Sequence, residues 1–389
     1  VSARRVVVVG ASAAGTTVAE SIARLDRERE VVIVGDGPDL AHDRPPLSKQ
    51  VLAGDWEPDQ AALLPPARRA ALTARLVLGS AATGLDCDRR LVHLDDGDSL
   101  AYDDLVIATG VRPRRLDPAT PPGLHVLRDL ADSLRLRAEL GPGRRLVVVG
   151  GGFIGLEVAA TARRLGTSVV VLEPTHAPLA PRLGATAAAR LVERHRREGV
   201  DMRTGIGVVA VETGTDGRVA RVLTTDGAEI GCSTVLVSIG SEPTVGWLVG
   251  SGLDLTDGVV CDEFCRAAPG VWAAGDVARW HHRSLGRLVR VEHRLNATEQ
   301  GLAVATNIVG PARPFTPTPF FWTDQYDVRV QLAGELSPDA VEEIEPLDGA
   351  DSFLHTFRID GVLTAALAWN AARALLPLRR ELAATLSPV

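Results

Sequence analysis

Lysine is nearly missing from this chain of 389 residues: of 42 basic side chains one, Lys49, is lysine, which leaves 41 arginines. An ammonium kept where every other cation is a guanidinium points to a place that needs a compact charge rather than a planar fork; chance is the competing explanation. Cysteine is scarce too. Cys87, Cys232, Cys261 and Cys265 include no Cys-x-x-Cys pair, so neither a zinc site nor a disulfide scaffold is implied. No stretch approaches the roughly 20 apolar residues that a membrane span requires. The net charge of −7 is mild and gives no sign of nucleic-acid binding. The strand-like Val6–Val9 lies too near the start to leave room for a signal peptide, so the cytoplasm is the expected compartment. What remains is an ordinary globular composition, 46% hydrophobic and 23% charged, with length for two or three domains.

One supersecondary unit occurs twice. Arg4–Val9 is a β-branched run followed by Gly10-Ala-Ser-Ala-Ala-Gly15, a helical stretch to Arg24, then Val31–Val34 and Asp36. Leu146–Val149 leads into Gly150-Gly-Gly-Phe-Ile154-Gly155, a helix to about Leu165, then Ser168–Leu172 and Glu173. Strand, glycine turn, helix, strand and acid in that order form the dinucleotide-binding βαβ pattern. The first glycine makes the turn, the second lets backbone approach a pyrophosphate, and the third lets helix and strand pack closely. The helix N-terminus offers N–H groups to the phosphates, and the acid accepts from ribose hydroxyls. The first copy departs at its second position, where Ser12 replaces glycine.

Further strand-then-glycine turns follow at Leu105–Gly110, with Ala108 and Thr109 in the turn, and at Val235–Gly240. Gly270-Val-Trp-Ala-Ala-Gly-Asp276 places a carboxylate at a sheet's carboxyl edge, where open α/β sheets bind ligands. From about Pro311 the texture becomes a proline-rich linker, strand-like pieces at Val328–Leu332, Phe353–Ile359 and Leu363–Trp369, and a helix from about Ala372. The fold class is α/β, two Rossmann-like domains plus a small C-terminal α+β domain.

Asp43-Arg-Pro-Pro-Leu-Ser-Lys49, Ala108-Thr-Gly110, Gly150-Gly-Gly-Phe-Ile-Gly-Leu-Glu157, Ala274-Gly-Asp276 and Phe320-Phe-Trp-Thr-Asp324 occur in order. Together they resemble the FAD-dependent ferredoxin reductases that serve bacterial Rieske-type oxygenases and cytochromes P450, over essentially the whole chain. The resemblance implies a discontinuous FAD-binding domain at 1–113 and 234–312, an NAD-binding domain at 114–233 and a C-terminal domain at 313–389. It implies that Gly10, Ser12, Gly15, Asp36, Ala82, Ala108, Thr109, Gly110 and Asp276 hold FAD, with Arg44, Lys49, Arg128 and Arg294 beside the flavin nucleotide. Gly150, Gly152, Ile154, Gly155, Glu173, Arg182 and Gly240 would line the nicotinamide dinucleotide, with Glu157 at its nicotinamide end. Lys49, Glu157 and Trp322 are the implied reaction-side residues. Trp322 is the alternative to the tryptophan that many relatives carry in Val-Glu-His-Trp, because this chain has Val291-Glu-His-Arg294. An ordinary core role for Trp322 stays open.

Glu173 bears on cofactor choice, since a carboxylate suits the free ribose hydroxyls of NADH and repels the 2′-phosphate of NADPH. The expected chemistry is hydride transfer from NADH to FAD, then single electrons to an iron–sulfur ferredoxin. A disulfide reductase is excluded, because Pro45–Gly54 contains no cysteine. Rubredoxin reductase, NADH oxidase and an apoptosis-inducing-factor-like NADH-binding protein are the rival readings. For docking an acidic ferredoxin, Arg283, Arg287, Arg290 and Arg294 are a candidate basic patch, with an ordinary solvated loop as the alternative. Nothing in the sequence speaks to oligomeric state.

Overall fold

The computed structural model describes residues 4–116, 120–349 and 351–386. The valine-rich run Arg5–Val9 is the centre of a six-stranded sheet in the order Arg266–Ala268, Val271–Ala273, Asp104–Ile107, Arg5–Val9, Glu30–Gly35, Arg75–Leu78. All its pairings are parallel except that of Arg266–Ala268 with Val271–Ala273. Parallel strands covered on both faces have no polar side to present, so Val6, Val7, Val8, Val31, Val32 and Ile33 are all buried. The helices Ala13–Leu25 and Arg294–Val309 pack on each other, so closely that a Cβ at Gly301 would lie 2.8 Å from the Ala14 carbonyl oxygen.

The second sheet is parallel throughout, in the order Asp201–Thr204, Ser168–Glu173, Arg145–Val149, Thr234–Val237, Leu124–His125. One expected boundary is corrected here. Thr234–Val237, assigned from the sequence to the FAD-binding part, pairs with Arg145–Val149 inside the second sheet. The chain returns to the first domain at Ser241–Pro243, which pairs antiparallel with the outgoing Val111–Pro113. The Arg112–Glu242 ion pair, 2.7 Å long, ties the two crossings together. The sequence concealed this because the strand at 234 has the same apolar texture as strands of either sheet.

The C-terminal part is a five-stranded antiparallel sheet in the order Phe320–Gln325, Val328–Gly334, Val362–Trp369, Phe353–Ile359, Val341–Pro346, followed by the helix Leu375–Leu386. Phe320–Gln325 and Val341–Pro346 are strands beyond those read from the sequence. One hydrophobic cluster joins all three parts: Leu47, Val51 and Leu52 from the first, Leu156, Val158 and Leu191 from the second, Val330, Leu367 and Trp369 from the third. That shared core fixes how the parts meet.

Candidate functional site: two dinucleotide cradles and a buried carboxylate

Both glycine turns follow from steric necessity. At Gly10, φ is +123° and an added Cβ would lie 2.2 Å from the Ala108 carbonyl oxygen; at Gly15 it would lie 1.9 Å from the Gly10 carbonyl oxygen. The second turn repeats this, with Gly150 against Ser238 at 2.2 Å and Gly155 against Gly150 at 2.3 Å. The turns 108–110 and 238–240 therefore close over the first glycine of each copy. Gly152 differs: a Cβ there meets nothing within 4 Å. Its lack of a side chain serves no packing need and leaves the mouth of the turn open. Neither the helix Ala13–Leu25 nor the helix Phe153–Arg164 has a side-chain N-cap bond or an acid in its first turn. Their leading N–H groups are thus left to an anion from outside.

The remaining expected residues gather at the carboxyl edges of the two sheets. Asp36 follows Glu30–Gly35 and is exposed. Ala82 opens the strand Ala82–Asp86, and Thr109 donates to the Thr244 carbonyl at 2.9 Å. Glu173 accepts from the Gly151 N–H at 2.8 Å and from Thr175, which locks its carboxylate across the second glycine turn. Gly240 faces open space with φ +91°. Ile154 is half exposed on the first turn of its helix, and Arg182 is exposed and lies within electrostatic reach of His293.

A cluster of cations surrounds Asp276. Arg128 Nη2 is 3.4 Å from its carboxylate, and Arg290 donates to its carbonyl at 3.2 Å. Arg294 pairs with Asp43 and with the Thr298 hydroxyl. Burial, with Arg128 close by, pulls the Arg44 guanidinium down to about 10, and among the described residues it has no ion pair. A desolvated cation near Asp276 and Asp129 but held by no direct ion pair fits a pyrophosphate-bearing cofactor.

Where the three parts meet, Glu157 is buried with both carboxylate oxygens taken. Lys49 Nζ lies 2.8 Å from Oε2, which also accepts from the Ser48 hydroxyl at 2.5 Å, while Thr323 donates to Oε1 at 2.7 Å. The helix Phe153–Arg164 presents Glu157, the short turn Pro45–Ser48 presents Ser48 and Lys49, and the strand Phe320–Gln325 presents Thr323. A cleft of about 390 Å³ opens beside this cluster, lined by Lys49, Glu157, Arg164, Asp55, Asp324 and Tyr326 among others.

Strand alternation separates two residues that the sequence placed together. Thr323 turns to Glu157, so its neighbour Trp322 stands on the opposite face with Phe320, whose ring lies under the Arg379 guanidinium at 4.1 Å. The aromatic on the Glu157 side is Phe321, packed at a tilt between Phe153 at 4.9 Å and His293 at 5.1 Å. Burial pushes His293 down to about 4, and its Nδ1 is buried without a partner among the described residues. Phe321, Thr323, Gln325 and His293 were missed as site residues. The available signal was period two: polar Thr323 and Gln325 share a face in a strand that begins Phe-Phe-Trp. The expected basic patch is also altered, because each arginine has found a carboxylate: Arg283 pairs with Glu263, Arg287 with Glu335, and Arg290 with Asp257 and Glu292.

Two open sheets, one mostly and one wholly parallel, each with a glycine turn at its carboxyl edge, define an oxidoreductase that binds two dinucleotides, and the chain belongs to the pyridine nucleotide-disulphide oxidoreductase family, whose model matches residues 4–301. A second model, of the reductase C-terminal domain, matches residues 320–388. Among its relatives, the chain is 37% identical to putidaredoxin reductase of Pseudomonas putida over 85% of this chain and 80% of that protein. It is 34% identical to the ferredoxin–NAD(+) reductase component of the anthranilate 1,2-dioxygenase system of Burkholderia cepacia, over 100% and 96% of the two chains. The crystal structure of the covalent putidaredoxin reductase–putidaredoxin complex superposes with a TM-score of 0.92 and 34% identity, covering 97% of this chain and 93% of that one. FAD and NAD(H) are the cofactors of this enzyme. No helix among the described residues is long and apolar enough to cross a membrane.

Proposed function

We propose that this chain is an NADH-dependent ferredoxin reductase, taking hydride from NADH onto FAD and passing electrons singly to an iron–sulfur ferredoxin that feeds a Rieske-type oxygenase or a cytochrome P450. The observation that carries the reading is the Lys49–Glu157–Thr323 cluster, which draws one residue from each part of the chain to a single point without a cysteine. In a disulfide reductase that neighbourhood would hold a redox thiol pair. Here the four cysteines are free, three of them buried, and lie elsewhere. Electrons leaving the flavin must go to an acceptor from outside, which favours a small carrier protein. Free thiols also accord with a reducing, cytoplasmic setting.

In this reading the first glycine turn, Ser12 and Asp36 seat FAD, while Arg44, Arg128 and Asp276 surround the flavin end. FAD supplies the conversion between a two-electron donor and one-electron acceptors. Lys49 holds positive charge where reduction leaves negative charge, and Glu157 keeps that ammonium in place. The second turn, with Gly152 open and Glu173 set for ribose hydroxyls, seats NADH. The test is anaerobic stopped-flow reduction of the FAD-loaded protein by NADH and NADPH in parallel, followed by turnover with a [2Fe–2S] ferredoxin. Reduction by NADH at least about tenfold more efficient than by NADPH, with ferredoxin turnover, is expected. Preference for NADPH would overturn the role given to Glu173, and slow reduction by both would favour a binding protein instead.

A further inference from the structure

We propose that Thr323, Gln325 and His195 are positioning residues, which hold the Glu157 carboxylate and the Lys49 ammonium in place through one continuous hydrogen-bond chain. The inference rests on the reading that Lys49 and Glu157 flank the reacting rings. The chain itself does not depend on that reading. Thr323 Oγ1 donates to Glu157 Oε1 at 2.7 Å, Gln325 Nε2 donates to Thr323 Oγ1 at 3.0 Å, His195 Nε2 meets Gln325 Oε1 at 2.7 Å, and the Tyr326 hydroxyl meets His195 Nδ1 at 3.1 Å. Thr323, Gln325 and His195 are 1%, 1% and 0% exposed.

The sense of every bond follows from the anion at one end. A carboxylate only accepts, so the single Thr323 proton is committed to Glu157, and Thr323 must then accept. Only the amide nitrogen of Gln325 can supply that donor, which turns its carbonyl toward His195. Burial pushes His195 down to about 4, so its ring is neutral near pH 7, with one nitrogen donating and the other accepting. Nε2 therefore carries the proton, and Nδ1 accepts from Tyr326. All four donors point toward Glu157.

Such a chain polarises cooperatively, and an amide in its middle does not readily relay a proton, so its work is orientation rather than proton transfer. It also crosses domains. His195 stands on the helix Ala185–Arg197 of the second part, and Thr323 and Gln325 stand on the first strand of the third. Tyr326 caps that strand in the two-residue turn to Val328, held at φ +57°. A buried polar chain of this length leaves an unsatisfied group wherever it is cut. The C-terminal sheet thereby takes part in placing the charge pair, although it carries no glycine turn.

The experiment is an anaerobic titration of FAD-loaded protein with NADH/NAD⁺ mixtures, following flavin absorbance, with melting temperature measured in parallel. Thr323→Val and Gln325→Leu are expected to shift the equilibrium constant for flavin reduction about tenfold toward the oxidised form, the size of one hydrogen bond to a charged group. Thr323→Ser, which keeps the hydroxyl, should stay within about twofold of wild type. Tyr326→Phe removes one hydroxyl at the far end and keeps the test alive if the buried variants lose FAD; about a threefold shift in the same direction is expected. Thr323→Val, Gln325→Leu and Tyr326→Phe all within twofold of wild type, with only the melting temperature lowered, would overturn the positioning role alone. A wild-type protein that NADH does not reduce would overturn the underlying reading of the site.

Discussion

Lys49 illustrates how far a single position can be read. Lys49, the lone lysine among arginines in the sequence, shares Glu157 Oε2 with the Ser48 hydroxyl in the structure. His195 shows the opposite case, since nothing in Val192-Glu-Arg-His-Arg-Arg197 sets it apart from a surface histidine on an arginine-rich helix. Its environment faces it with Gln325, Tyr326, Glu198 and Arg194. Because burial lowers its folded value to about 4, the unfolded chain takes up its proton first as pH falls. Its contribution is therefore intact above about pH 6.5 and is lost between there and pH 4, by on the order of 3 kcal/mol. Urea unfolding at pH 7.5 and pH 5 checks this: the wild type should lose more stability across that interval than His195→Gln.

Among the elements, the two glycine turns share a sequence pattern but use their glycines differently. Gly15 is required by packing, whereas packing at Gly152 leaves room for a side chain. Gly15→Ala forces a methyl onto the Gly10 carbonyl and is expected to cost FAD retention and several degrees of melting temperature. Gly152→Ala meets open space, so the fold should melt within about two degrees of wild type while KM for NADH rises about tenfold. Melting curves and steady-state kinetics on the two variants distinguish these outcomes. The strands were legible where they are buried on both faces. Val341-Glu-Glu-Ile-Glu-Pro346 escaped because an exposed edge strand need not carry an apolar face. Trp322 was read as a reaction-side residue from its motif, yet alternation gives the Glu157 side of that strand to Phe321 and Thr323.

For the molecule as a whole, an acidic total of −7 must still admit a carrier that is itself acidic if the partner is a ferredoxin. The arginines of 283–294 are each ion-paired, so their field is partly cancelled before any partner arrives. Arg287, held by Glu335 at 2.6 Å, is the sharpest probe. Arg287→Glu both removes a positive charge and frees Glu335, and is expected to lower kcat/KM for ferredoxin about tenfold while leaving NADH–ferricyanide turnover unchanged. Equal loss of both activities would show that the change acts on the site rather than on docking.

The βαβ units, their acids and the absence of a thiol pair were determined by sequence alone, because glycine spacing, strand texture and residue type are local properties. The chain's double crossing at Val111–Pro113 and Ser241–Pro243 was decided only by the fold, since apolar strands carry no mark of the sheet they join. So was the buried chain from Tyr326 to Glu157, whose members lie far apart in sequence. Their polar side chains become a site only when helix and strand pack and exclude the water that would otherwise satisfy each of them separately.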